Sequence, residues 1–182
     1  MRNTAIILVP LCIAIVMASC ARAEDLRWFS GALGTGQNVD SLRVGGAWQP
    51  DCACESLTSI GATPLVLGHI EYWNARGDGK SHDSSVNVGA LLGARWLLPA
   101  RSPTQPFIEF AFGGIAQSHV RIGARALGSM LLFDSRLGAG IALDSASKYQ
   151  LAAYVEHRSN ARLREPNDGL TTYGVELRVA LR

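Results

Sequence analysis

This chain divides into eight strand-like stretches separated by turn residues, in several of which apolar and polar residues alternate, and eight charged side chains within them stand opposite the apolar row of their own stretch. The stretches are 26–35, 41–49, 63–74, 84–96, 106–117, 130–143, 148–159 and 171–181. In the last, Tyr173, Val175, Leu177, Val179 and Leu181 share one parity, and Thr172, Gly174, Glu176 and Arg178 the other. In the sixth, Leu131, Phe133, Leu137, Ala139, Ile141 and Leu143 share a face with Ser135, against Asp134, Arg136, Gly138 and Gly140. In the fourth, Val86, Val88, Ala90, Leu92, Ala94 and Trp96 oppose Ser85, Asn87, Gly89 and Arg95. A period of two predicts β-strands. Glu71, Arg95, Glu109, Asp134, Arg136, Glu156, Glu176 and Arg178 all lie on the polar parity.

Alternation alone fits two all-β architectures. In a soluble sandwich the apolar faces meet and the charges face water. In a membrane barrel the apolar face meets lipid and the charges pair inside a narrow lumen. The N-terminus favours the barrel. Arg2, the apolar run Ala5 to Ala18, and Ala21-Arg22-Ala23 read as a secretory signal peptide over residues 1–23, with the mature chain starting at Glu24. Met17-Ala18-Ser19-Cys20 is a weaker lipobox-like alternative. No later segment approaches the about 18 consecutive apolar residues of a spanning helix. A membrane location therefore demands a closed barrel, because only helices and barrels satisfy every backbone polar group in lipid. The even strand count agrees, as do Trp28, Trp48 and Trp96, expected to share one rim as an aromatic girdle. Frequent strand glycines suit a tightly curved sheet. The expectation is an eight-stranded antiparallel up-and-down transmembrane β-barrel over residues 24–182.

With both termini periplasmic, the outer loops fall near 36–40, 75–83, 118–129 and 160–170. They carry Arg76, Lys80, Arg121, Arg125, Arg162 and Arg164, a basic rim suited to an anionic partner. Net charge is only +2, which gives no nucleic-acid footprint. Cys52 and Cys54 are too few and too close for a disulfide framework and form no metal motif alone.

The chemically informative stretch is Tyr154-Val155-Glu156-His157-Arg158-Ser159-Asn160-Ala161, followed by Pro166-Asn167-Asp168-Gly169. His157 and Ser159 share the parity of Leu151, Ala153 and Val155, so they end a lipid-facing row at the outer-leaflet level. Two readings stand at this point. The pair sits at the membrane interface and contacts water, or the imidazole is a general base for the hydroxyl. In the second, Asn160 and nearby backbone N–H groups are candidate oxyanion donors.

His157-Arg158-Ser159-Asn160-Ala161 with Pro166-Asn167-Asp168-Gly169 resembles the C-terminal signature of the PagL family, outer-membrane lipid A 3-O-deacylases. Gly34-Thr35-Gly36-Gln37, Tyr72-Trp73 ahead of Gly77-Asp78-Gly79-Lys80, Pro106-Phe107-Ile108-Glu109 and Arg136-Leu137-Gly138-Ala139-Gly140 agree with it in order. The resemblance implies hydrolysis of the 3-position hydroxyacyl ester of lipid A in lipopolysaccharide. Ser159 would be the nucleophile, His157 its base and Asn160 an aid to the oxyanion. It implies no metal or organic cofactor, outer-membrane lipid as surroundings, and room for a homodimer. There is a departure: two positions after the Pro-Asn-x-Gly glycine a described family member has Glu as third triad residue, and this chain has Thr171. Thr171 shares the parity of Tyr173 and Val175 and is the candidate orienter of His157; Glu165 or Asp168 would replace it if the loop folds back. The C-terminal Arg182 also departs from the aromatic end common in outer-membrane barrels. The rival functional class is a non-enzymatic small barrel that binds lipopolysaccharide or braces the membrane.

Overall fold

A computed structural model describes residues 26–50, 55–77, 83–100 and 104–181. The expected signal peptide, Cys52 and Cys54, Lys80 and Arg182 lie outside them. The strands are β1 (Leu26–Gly36), β2 (Val39–Gln49), β3 (Ala62–Ala75), β4 (Ser84–Leu97), β5 (Gln105–Gln117), β8 (Leu131–Ala142), β9 (Tyr149–Ser159) and β10 (Leu170–Leu181). They close into one antiparallel barrel in which neighbours in sequence pair and β10 returns to β1. Between β5 and β8 lies a separate two-stranded hairpin, β6 (Arg121–Ile122) with β7 (Arg125–Ala126), and a short helix α1 (Glu55–Thr58) precedes β3. Both segments fall where the sequence marks only connections between strands.

Each expected strand appears within two residues of its expected bounds. An 11-residue strand is about 36 Å long and, tilted by about 40°, spans about 28 Å, the thickness of a bilayer core. The outer wall is a band of exposed apolar side chains, among them Phe29, Leu33, Val44, Val88, Leu137 and Val175. No helix among the described residues is long and apolar enough to cross a membrane, and the strands are the elements sized to do so.

The lumen is filled in three layers. At the upper end, which carries connections 37–38, 76–83, 118–130 and 160–169, Val39, Trp73, Ile115, Leu132 and Leu170 pack around Ile122 and Leu127 of the hairpin region. At the lower end Trp28, Ala47, Leu65, Leu67, Leu91 and Ala111 form a second apolar cluster. Between them Arg43, Arg95, Arg136, Arg158 and Arg178 face Glu71, Glu109, Asp134, Glu156 and Glu176, all buried. Register makes this work: Arg43 is directly opposite Glu71, Arg95 opposite Glu109, Arg136 opposite Glu156, and Arg158 opposite Asp134. A slip of one residue would turn these charges into lipid and the apolar row inward, so the ion pairs and the hydrophobic band specify the same register. Glu156 also binds Arg43 and Arg158, while Arg178 holds Glu109 at 2.6 Å and Glu176 at 2.6 Å. The Tyr154 ring lies 4.1 Å under Arg136 and 5.1 Å under Arg43. It fits only because position 174 is glycine; a Cβ there would sit 2.4 Å from the phenol.

One expectation is corrected. Trp28 belongs to no outward girdle: it is 1% exposed, with its ring 5.3 Å from the Arg95 guanidinium and its Nε1 donating to Ser147 O at 3.0 Å. It has the parity of Ser30 and Ala32, which face the lumen, whereas Phe29 points out. Trp48 and Trp96, on outward parity, are half-buried at the same lower rim. In the β8–β9 turn, Asp144 accepts from the backbone N–H groups of Ala146, Lys148 and Tyr149. These bonds, that from Lys148 first, hold its carboxyl below the ordinary value.

Candidate active site

The upper part of β9 alternates two kinds of work. Glu156 and Arg158 point inward and are fully buried; His157 and Ser159 point outward. Arg158 hydrogen-bonds Asp134 on β8 (3.3 Å) and Thr172 on β10 (3.2 Å), and forms an ion pair with Glu71 on β3 (2.9 Å). Those first two partners are chain neighbours of Ser135 and Thr171. The buried ion pairs therefore pin, from inside, the backbone that displays Ser135, His157 and Thr171 outside.

On the outer wall His157 is flanked directly by Ser135 of β8 and Thr171 of β10. His157 Nδ1 and Thr171 Oγ1 share a hydrogen bond of 2.9 Å. Thr171 is itself held from above, its N–H donating to Gln37 Oε1 at 2.8 Å. Gly169, with φ +62°, lies against the ring; a Cβ there would approach His157 Cε1 to 3.2 Å. Beside the imidazole opens a cleft of about 360 Å³ lined by Phe112, Phe133, Ser135, His157, Ser159 and Ala161. Phe112 and Phe133 stack with ring centroids 5.9 Å apart. Among the described residues no hydrogen bond joins the Ser159 hydroxyl to the ring.

Three expected site residues are placed elsewhere. Asn160 is buried: its Nδ2 donates to Leu127 O (2.8 Å) and Arg164 O (2.8 Å), and its N–H to Asn167 Oδ1 (3.0 Å). Both side-chain N–H groups are thus spent on bracing the loop after Ser159, so the amide does not face the cleft. Asp168 is bound to the hairpin, accepting from Ala126 N–H at 2.6 Å, with its own N–H donating to Ala126 O at 3.1 Å. Glu165 is exposed and makes no described contact with His157. Of the three candidates for the third position, Thr171 alone reaches the imidazole.

The basic rim is in part structural. Arg76 pairs with Asp40 at 3.2 Å, and Arg125 donates to Gly169 O at 3.1 Å. Arg121, Arg162 and Arg164 are exposed or nearly so. Through Asp168 and Arg125 the hairpin grips the loop that backs His157. Replacing Asp168 with alanine should raise the exchange rate of the Ala126 amide by about tenfold, one lost charge-assisted bond, while the barrel's unfolding midpoint holds. Unchanged Ala126 exchange would show that the apolar contacts of Ile122 and Leu127 suffice.

Ser135 and the Phe112–Phe133 stack were missed as site residues. Ser135 was visible as a polar residue in the sixth stretch's apolar row, but only the pairing register brings it opposite His157.

A filled lumen and an imidazole–hydroxyl cleft on the lipid-facing wall define a class: membrane β-barrels that act on a molecule in the bilayer and do not conduct one through it. A family model described as lipid A 3-O-deacylase (PagL) matches residues 42–180. The chain belongs to this family. It is 29% identical over 178 residues to the lipid A deacylase PagL of Pseudomonas aeruginosa strain PAO1, covering 96% of this chain and 98% of that one. The crystal structure of the outer membrane enzyme PagL superposes with TM-score 0.70 at 28% identity, over 86% of this chain and 99% of that chain. Neisserial surface protein A shares the fold at 10% identity, with TM-score 0.51 over 85% and 94% of the two chains.

Proposed function

We propose that this protein hydrolyses the ester at the 3-position of lipid A, releasing a 3-hydroxy fatty acid, in the outer leaflet of a bacterial outer membrane that its strands cross repeatedly. Residues 1–23 would direct export and be removed. The observation that carries the reading is the bond from His157 Nδ1 to Thr171 Oγ1 on the lipid-facing wall, in one cleft with Ser159.

If Nδ1–H donates to Thr171, the other ring nitrogen is unprotonated, the tautomer a general base requires. His157 Nε2 takes the Ser159 proton as Oγ attacks the ester carbonyl. The tetrahedral adduct collapses to an acyl-enzyme as His157 returns the proton to the departing sugar oxygen. Water, deprotonated by His157, then attacks the acyl carbonyl, and His157 passes that proton to the departing Ser159 Oγ, freeing the fatty acid and restoring the hydroxyl. With the Asn160 amide engaged, the oxyanion donors are assigned to backbone N–H groups just after Ser159. There Ala161 (φ 52°) and Arg162 (φ 60°) form a left-handed turn beside the cleft. Asn160 acts through that turn by holding it.

Thr171 fixes the ring but does not balance the imidazolium charge as a carboxylate would. Thr171→Val should lower kcat about 10- to 100-fold, and Thr171→Glu should preserve or raise it. The measurement is mass spectrometry of fatty acid released from purified lipopolysaccharide by the protein in detergent. Complete loss in Thr171→Glu would remove this position from the site. The neutral third member favours one rival, a barrel that binds lipopolysaccharide without cleaving it. Absence of labelling of Ser159 by a serine-directed probe, together with no released acid, would decide for that rival.

A further inference from the structure

Ser135 is the one polar side chain that β8 presents outward, among Leu131, Phe133, Leu137, Ala139 and Ile141. Its hydroxyl donates to His157 O at 3.3 Å, at the weak end for an O–H···O bond. A hydroxyl left half-satisfied on a wall that faces hydrocarbon is unfavourable unless a further polar partner arrives. It is also well placed to meet one. Ser159 is paired with Phe133, and Ser135 is the next outward residue of β8 toward the membrane interior, about 7 Å away along the diagonal. The opposite flank of His157 is taken by Thr171. An acyl chain whose ester carbonyl is at Ser159 thus descends past Ser135 before it meets Leu137.

The geometry points to Ser135 as a specificity-determining residue that hydrogen-bonds the hydroxyl on the third carbon of the scissile acyl chain. That carbon is two bonds from the carbonyl under attack, so its hydroxyl lies just below Ser159, at the level of Ser135. This rests on the deacylase reading above and adds to it a reason for preferring 3-hydroxyacyl over unsubstituted acyl esters. The contact is polar within an apolar groove, where a missing partner is discriminated most strongly.

The experiment compares two glucosamine esters of equal chain length, one 3-hydroxytetradecanoyl and one tetradecanoyl, with the full-length protein in detergent micelles. The ratio of kcat/KM for the two is the readout. In the wild type it should favour the hydroxyacyl ester by about tenfold, one neutral hydrogen bond. In Ser135→Ala it should fall to about one, and in Ser135→Thr the preference should return. A wild-type protein that does not discriminate, or a Ser135→Ala protein that keeps the full preference, overturns the assignment. A purely structural bond to His157 O would slow both esters alike and leave the ratio intact. If the wild type cleaves neither ester nor lipopolysaccharide, it is the deacylase reading itself that fails.

Discussion

Ser159→Ala should lower kcat on lipopolysaccharide by at least about a thousandfold, while the protein still folds and migrates as a heat-modifiable barrel. The size follows from the nucleophile's part proposed for the hydroxyl. Without an acceptor for the acyl group, cleavage reverts to direct attack by water. The oxyanion donors and His157 retain only the residual catalysis typical of a site stripped of its nucleophile. Stability should barely change, because Ser159 sits half-buried at the end of β9 and makes no described side-chain bond that the fold needs. A folded Ser159→Ala protein of wild-type activity would refute the mechanism outright. His157→Ala should be as damaging, since the hydroxyl would lose its base.

The second large effect lies inside the barrel. Arg158→Ala leaves the buried carboxylate of Asp134 without its cation, and leaves Glu71 to Arg43 and Glu156 to Arg43 and Arg136. Removing one partner from a buried ionic cluster costs about 3–5 kcal/mol. The expected result is a marked fall in the urea midpoint of the micelle-embedded protein, followed by the loss of heat-modified mobility. Adding Asp134→Asn should recover part of that loss by removing the stranded charge, a non-additivity that identifies coupling. Equal midpoints for wild type and Arg158→Ala would mean that the remaining arginines re-form the network. Activity should fall in Arg158→Ala beyond what unfolding accounts for, because Arg158 also anchors Thr172 beside Thr171 and Asp134 beside Ser135.

The strands were legible because a wall with lipid on one side and ion pairs at mid-height on the other leaves a period of two, clearest where the charges stand. The outward placement of His157 and Ser159 followed from the same parity. Arg43 and Arg158 obey it as well and join the buried charges. Trp28 was misassigned because its position along the rim was read while its parity against Phe29 was not. The hairpin at Arg121–Ala126 has two-residue strands, too short for any periodicity to register. The fates of Asn160 and Asp168 depended on contacts with residues 33 and 42 positions away in sequence. No local pattern announces such partners. The contact of Thr171 with His157 was readable because it is a single cross-strand pair between adjacent strands.

The three-layered filling of the lumen decides how this molecule meets its substrate. With aromatic and aliphatic plugs above and below a neutral set of ion pairs, nothing is delivered to His157 through the pore. On the proposed function, supply is therefore lateral, by two-dimensional diffusion within a single leaflet. The quantity that sets turnover is the mole fraction of substrate at the surface, so diluting lipopolysaccharide with inert detergent should slow the reaction even when its bulk concentration is held constant.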